Sequence, residues 1–280
     1  MNNLGFLFAL GAALAWGSYA VPFKASKSEN LIQYQALMTT GIFISGFIFS
    51  LLAGYPVSFN IYGLFSGFLW GIANFISLSA FANLGLSKAA PIMSSLVILS
   101  TFLWGSFVFN ELPQGLVMAA IGILAIIAGV IIVSTIINTQ TLNAKMGLIA
   151  AITAGLIFGS QLVPLKLGKV EPQEFFFSST LGIFIVGLAI FLFKKAKFKK
   201  EAITLSLLSG VIWNIGNFLS LISVSLIGLA KSIPLTQVTV LIAILWGVFY
   251  FKEVKSKKSI LQILIGAVVL LTGVIILSLA

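Results

Sequence analysis

Trp70 and Asn74 stand four residues apart inside a long apolar stretch, and Trp213 and Asn217 repeat the arrangement in the second half of the chain. On a helix that spacing puts both side chains on one face, a single turn apart. An amide both donates and accepts hydrogen bonds, and an indole offers a flat apolar face with an N–H at its edge. Brought together, the four groups would cradle a neutral, hydroxylated ring. Buried Asn also joins helices inside membranes and Trp also fills space, so a packing role stands beside the binding one.

A second group precedes two prolines. Trp16, Ser18 and Tyr19 lie just before Pro22, and Ser160 and Gln161 just before Pro164. Each Pro removes a backbone donor and weakens the helix one turn earlier, so the helix is expected to bend there and expose carbonyls to a cavity. Asn214 has no amide counterpart in the first half, where Gly71 takes its place; any role it has breaks the symmetry. Charge supplies a third group. Lys24, Lys88, Lys166 and Lys231 fall at the ends of apolar stretches, and Glu111 and Glu253 each follow a predicted helix C-terminus, where the macrodipole disfavours an anion unless a cation is near. An inner gate is expected from Glu253 with Lys24 or Lys88, and an outer gate from Glu111 with Lys166 or Lys231. Snorkelling of these side chains without mutual contact is the alternative.

The elements that hold these residues follow from composition. Of 280 residues, 60% are apolar and 8% charged, whereas a soluble domain carries about a quarter charged. Too little polar surface remains to coat a water-soluble particle. Apolar runs place spans near 3–23, 31–53, 60–82, 89–109, 114–137, 146–165, 173–193, 203–225, 232–251 and 259–279. The first lacks a cationic flank and recurs in mid-chain, so it is read as a retained helix rather than a signal peptide. All sixteen basic residues are Lys, and thirteen of them fall in the connections after the odd-numbered spans. The positive-inside rule then puts both termini outside, and the runs at 194–200 and 252–258 become orientation signals rather than a nucleic-acid surface.

The chain repeats itself. WGSYAVPFK from Trp16 matches FGSQLVPLK from Phe158; SGFLWGIANFISLS from Ser66 matches SGVIWNIGNFLSLI from Ser209; GLSKAAP ending at Pro91 matches GLAKSIP ending at Pro234. Trp104, Gly105 and Glu111 recur as Trp246, Gly247 and Glu253. The expected organisation is a first five-helix repeat over 1–138, a connection over 139–145 and a second repeat over 146–280. Because five is odd, the second unit must enter the membrane from the opposite side. The expected fold is therefore an all-α membrane protein of ten transmembrane helices in two inverted five-helix repeats, an architecture associated with secondary transport and alternating access.

These motifs resemble the drug/metabolite transporter superfamily. WGSYAVPFK, FGSQLVPLK, WGIANF and WNIGNF are similar to its sugar-transport branch, which includes glucose/ribose uptake proteins and rhamnose permeases. The resemblance spans essentially the whole chain and implies movement of a monosaccharide or polyol across the cytoplasmic membrane, inward, with a proton as a candidate co-substrate. Two other readings are carried: a carrier of an anionic metabolite such as a sugar phosphate or organic acid, drawn by the four lysines, and a non-transporting membrane scaffold. An enzyme is not expected. Cys and His are absent, which removes thiolate and imidazole chemistry and the common metal sets, so no cofactor or metal is expected. Glu171, Glu174 and Glu201 are poor candidates for work on lipid-linked sugars, and no carboxylate falls within the core of a predicted span, which argues against a small-multidrug mechanism.

Overall fold

The computed structural model describes residues 2–26, 30–109, 115–135, 142–193, 203–227, 232, 236 and 238–279. Among them every regular element is helical. In chain order these are α1 (Asn2–Ser18), α2 (Val21–Ser26), α3 (Leu31–Ala53), α4 (Ile61–Leu84), α5 (Leu86–Leu103), α6 (Leu116–Ser134), α7 (Ala144–Ser160), α8 (Val163–Gly168), α9 (Pro172–Phe193), α10 (Ile203–Ile227), α11 (Thr239–Leu245) and α12 (Lys257–Leu279). Seven apolar segments among the described residues are long enough to cross a bilayer, with α1 and α2 together forming the first and α7 and α8 together the fifth. The shorter apolar stretches Val117–Val133 and Thr239–Tyr250, with the 23-residue α12, bring the apolar segments to ten. Leu7, Leu52, Leu124 and Ile275 stand exposed on the outside, as side chains facing lipid do.

Local chemistry sets the ends. Asn30 starts α3 by accepting from the Gln33 amide at 3.0 Å, and Gly54 ends it in the left-handed region at φ 68°. Asn60 caps α4 through the Tyr62 and Gly63 amides at 3.0 and 3.2 Å. The two predicted proline bends are present. α1 stops at Ser18, two residues turn, and α2 resumes at Val21; α7 stops at Ser160, and α8 resumes at Val163. Pro22 and Pro164 lack the amides that would have reached the Ser18 and Ser160 carbonyls, so the helix yields at those turns. Helices α5 and α11 each run into a wide π-turn, Trp104–Val108 and Trp246–Tyr250. Phe109 and Phe251 close these turns by donating to the carbonyls of Trp104 and Trp246 at 3.1 and 3.0 Å.

Packing recurs with the halves exchanged. α1 lies on α10 as α7 lies on α4, α3 on α10 as α9 on α4, and α1 on α11 as α7 on α5. Small residues make the closest crossings, as in other membrane helix pairs. A Cβ on Gly67 would lie 2.2 Å from the Ser179 carbonyl oxygen, and one on Gly210 2.0 Å from that of Met38. Only hydrogen fits at either crossing. Around these contacts a buried cluster joins Trp70, Phe81, Leu86, Met93 and Trp213, and it surrounds the cavity described next.

Candidate functional site

A cavity of about 180 Å³ lies among α1, α4, α5, α7, α10 and α11. That is below the usual span for drug-sized ligands, about 300–1,000 Å³, and suits a small solute. Its walls include Trp16, Tyr19, Trp70, Phe158 and Trp213, with Phe81, Leu86 and Met93 towards one end. Trp70 and Trp213 meet at 4.1 Å between ring centroids and 46° between planes, and Phe158 lies 5.8 Å from Trp70. Trp16 is fixed by donating its indole N–H to the Trp213 carbonyl at 3.2 Å. Polar groups are few: Tyr19, Ser94, Gln161 and Thr239. Among the described residues no charged side chain lines this space.

Beyond the tryptophans a second, smaller cavity of about 20 Å³ holds Ser66, Ser179, Asn217 and, again, Gln161, large enough for one water. Trp70, Trp213 and Gln161 line both spaces and so form the partition between them. The Gln161 Oε1 is buried and accepts no hydrogen bond, an arrangement that costs stability in a dry site. Its direction is set by the bend between α7 and α8.

Behind the Leu86 wall of the larger cavity lies a buried carboxylate. Leu86, a wall residue, and Ser87 both donate backbone amides to Glu253 at 2.8 Å, the Ser87 hydroxyl donates to it as well, and Lys24 forms an ion pair with it. Glu253 is fully buried and Lys24 partly so. Helix α5 begins at Gly85 with no side-chain cap of its own. Glu253, arriving from the other half of the chain, therefore caps α5, and an anion at a helix N-terminus is where the macrodipole favours it. Lys24 also lies over the Phe251 ring at 5.1 Å, and its repeat counterpart Lys166 over Phe109 at 4.7 Å.

The sequence-predicted residues divide by placement. Trp16, Tyr19, Trp70, Trp213 and Gln161 line the main cavity, and Asn217 the smaller one. Ser18 and Ser160 do not line either. They accept instead from the indoles on the π-turns, Trp246 to Ser18 at 2.9 Å and Trp104 to Ser160 at 2.8 Å. Asn74 turns its amide away from both spaces, donating to Gln35 Oε1 at 2.7 Å while Gln35 donates to the Gly71 carbonyl at 2.9 Å. Asn214 likewise donates to Ser45 at 3.0 Å on α3. Lys88 is buried in the first turn of α5 without lining the cavity, and Glu111 and Lys231 lie outside the described residues. Ser87 and the Leu86 amide, which were not among the sequence-expected site residues, lie within the repeated GLSKAAP motif, next to its lysine. Because the Asn74 amide ties α4 to α3, Asn74→Ala is expected to lower stability by about 1 kcal/mol, seen as a lower Tm of the purified protein in detergent. An unchanged Tm would remove this role.

Comparison with known proteins bears on these features. The sugar transport protein family matches residues 7–280. The glucose uptake protein GlcU of Bacillus subtilis is 27% identical, with 99% of each chain covered. A Staphylococcus epidermidis protein named as a probable glucose uptake protein GlcU is 29% identical, again over 99% of each. A protein of known crystal structure superposes with a TM-score of 0.67 over 98% of each chain at 13% identity, a likeness of fold alone.

Proposed function

This chain belongs to the sugar transport protein family, a multi-pass membrane family, and on that premise we propose that it carries a neutral monosaccharide or polyol across the cell membrane by alternating access. The observation that carries the reading is the cavity itself. Indole and phenyl faces suit the C–H side of a sugar ring, and the unpartnered Gln161 oxygen is an acceptor waiting for a hydroxyl. Uncharged walls favour a neutral solute over an anionic one: Lys24 faces Glu253, Lys166 faces Phe109, and none of the described lysines lines the space. The relatives' names point to glucose among the monosaccharides.

Alternating access rests on the exchange of halves. Contacts Trp246 to Ser18 and Lys24 to Phe251 recur as Trp104 to Ser160 and Lys166 to Phe109, which is what a twofold axis between inverted units over 1–138 and 146–280, joined by 139–145, would produce. In this reading the lysine-rich end is cytoplasmic, both termini are outside, and Glu253 with Lys24 and α5 forms the inner gate, closed in this conformation. The partition at Trp70, Trp213 and Gln161 lies near the membrane midplane, where such carriers bind their solute.

The test is uptake of radiolabelled monosaccharides and of sugar phosphates into proteoliposomes, with and without a pH gradient. Saturable uptake of a neutral sugar is expected, and acceleration by an inward proton gradient would add a proton as co-substrate. Gln161→Leu is expected to raise the sugar KM about tenfold, the value of one buried hydrogen bond, while Asn74→Ala leaves it unchanged. Saturable uptake of sugar phosphates alone would overturn the proposal.

A further inference from the structure

A groove of about 710 Å³, larger than the central cavity and sharing none of its residues, lies between α4 and α7 and is bounded by Leu31 at the start of α3. Its wall is Phe75, Ile76, Met146, Ile149 and Ala150. Among the described residues its one charged group stands at the rim. Lys145, exposed in the first turn of α7, stands there beside Asn143. The rim is held in place: Asn143 caps α7 through the Met146 amide at 3.0 Å, and the Leu142 amide donates to the Asn83 carbonyl, at the end of α4, at 3.0 Å. An apolar trough suits neither a sugar nor its hydration shell. It does suit an acyl chain, and a fixed cation at the mouth suits a phosphate.

We propose that this groove is a binding site for an anionic phospholipid of the leaflet at the lysine-rich end. The acyl chain lies against Phe75, Ile76 and Ile149, and the headgroup phosphate meets the Lys145 ammonium. A zwitterionic headgroup is less well served, because among the described residues no carboxylate lines the groove to receive its ammonium. The site sits between two helices that also carry the central cavity, Trp70 on α4 and Phe158 on α7, with Gln161 just past the end of α7. An occupant wedged there resists movement of α7 against α4, so bound lipid tunes the conformational cycle.

The test is native mass spectrometry of the purified protein released from nanodiscs of equal phosphatidylglycerol and phosphatidylcholine. Wild-type protein is expected to retain phosphatidylglycerol preferentially. Lys145→Gln should cut that retention about fivefold, the worth of one lysine at an anionic surface, and Lys145→Arg should preserve it. Lys257→Gln, which removes an exposed lysine at the start of α12 outside the groove, should have no effect. Thr153→Trp, which fills the groove from the α7 side, should lower retention without touching the charge. Equal retention of the two lipids by wild-type protein, or equal losses from Lys145→Gln and Lys257→Gln, would overturn the proposal. The readout requires no transport, so it stands or falls separately from the sugar reading.

Discussion

Replacing Glu253 by Gln is expected to unlock the lysine-rich end of the cavity while leaving the protein folded. The substitution keeps the side chain's volume and removes its charge. Lys24 then loses its counter-ion in a largely buried place, and α5 keeps at best a neutral cap. Breaking one partner of a buried pair costs about 3–5 kcal/mol, and in the proposed inner gate that cost falls on the closed form alone, since opening would separate the groups in any case. A shift of that size raises the ratio of open to closed protein by roughly two to four orders of magnitude. The chain contains no Cys, so a single Ala90→Cys substitution on the cavity wall reports opening cleanly. An impermeant thiol reagent applied to inside-out vesicles should label Ala90→Cys slowly in the wild-type background and at least about tenfold faster with Glu253→Gln. Adding Lys24→Met should slow labelling again, because it removes the stranded cation. Equal labelling rates in all three backgrounds would dismiss the gate.

Trp213→Ala is expected to cause the largest loss in transport among single cavity variants. Trp213 lines both spaces, rests on Trp70 and is almost wholly buried. Truncation removes one wall of the proposed site and costs about 3 kcal/mol of stability besides, so rates need normalising to folded protein. If the indole face receives a sugar ring, kcat/KM for pyranoses should fall at least about tenfold, and linear polyols, which present no comparable flat C–H face, should lose less. Trp213→Phe should recover much of the pyranose activity, since it restores a face without the N–H. Equal losses for rings and chains would make Trp213 a packing residue.

The spans, the proline bends and the meeting of Trp70 with Trp213 could be read from the chain, because hydropathy, a missing donor and an internal repeat are local signals. The direction of Asn74 could not. Residues four apart on a helix differ by about 40°, enough for Trp70 to face the cavity while Asn74 reaches Gln35 on α3. The π-turns were equally hidden, since one extra residue in a helical turn leaves no periodic trace; they aim Trp104 and Trp246 at Ser160 and Ser18, which spends those hydroxyls on packing. The Glu253 cap on α5 joins residues far apart in sequence, and although both carboxylate and motif were visible as repeats, nothing local said which helix end would receive the anion.

The cavity walls contributed by the two halves are unequal. Trp16 and Tyr19 in one correspond to Phe158 and Gln161 in the other, and all four line the same space. An inward-facing and an outward-facing form would therefore hold a solute with different strength. If the carrier runs without an ion gradient, it must still bring the concentrations on its two sides to equality, so unequal affinities have to be offset by a difference between the inward-to-outward ratio of the loaded protein and that of the empty one. The form that binds more tightly is then more populated in the loaded protein than in the empty one, and influx and efflux saturate at different concentrations while their ratio at equilibrium stays fixed.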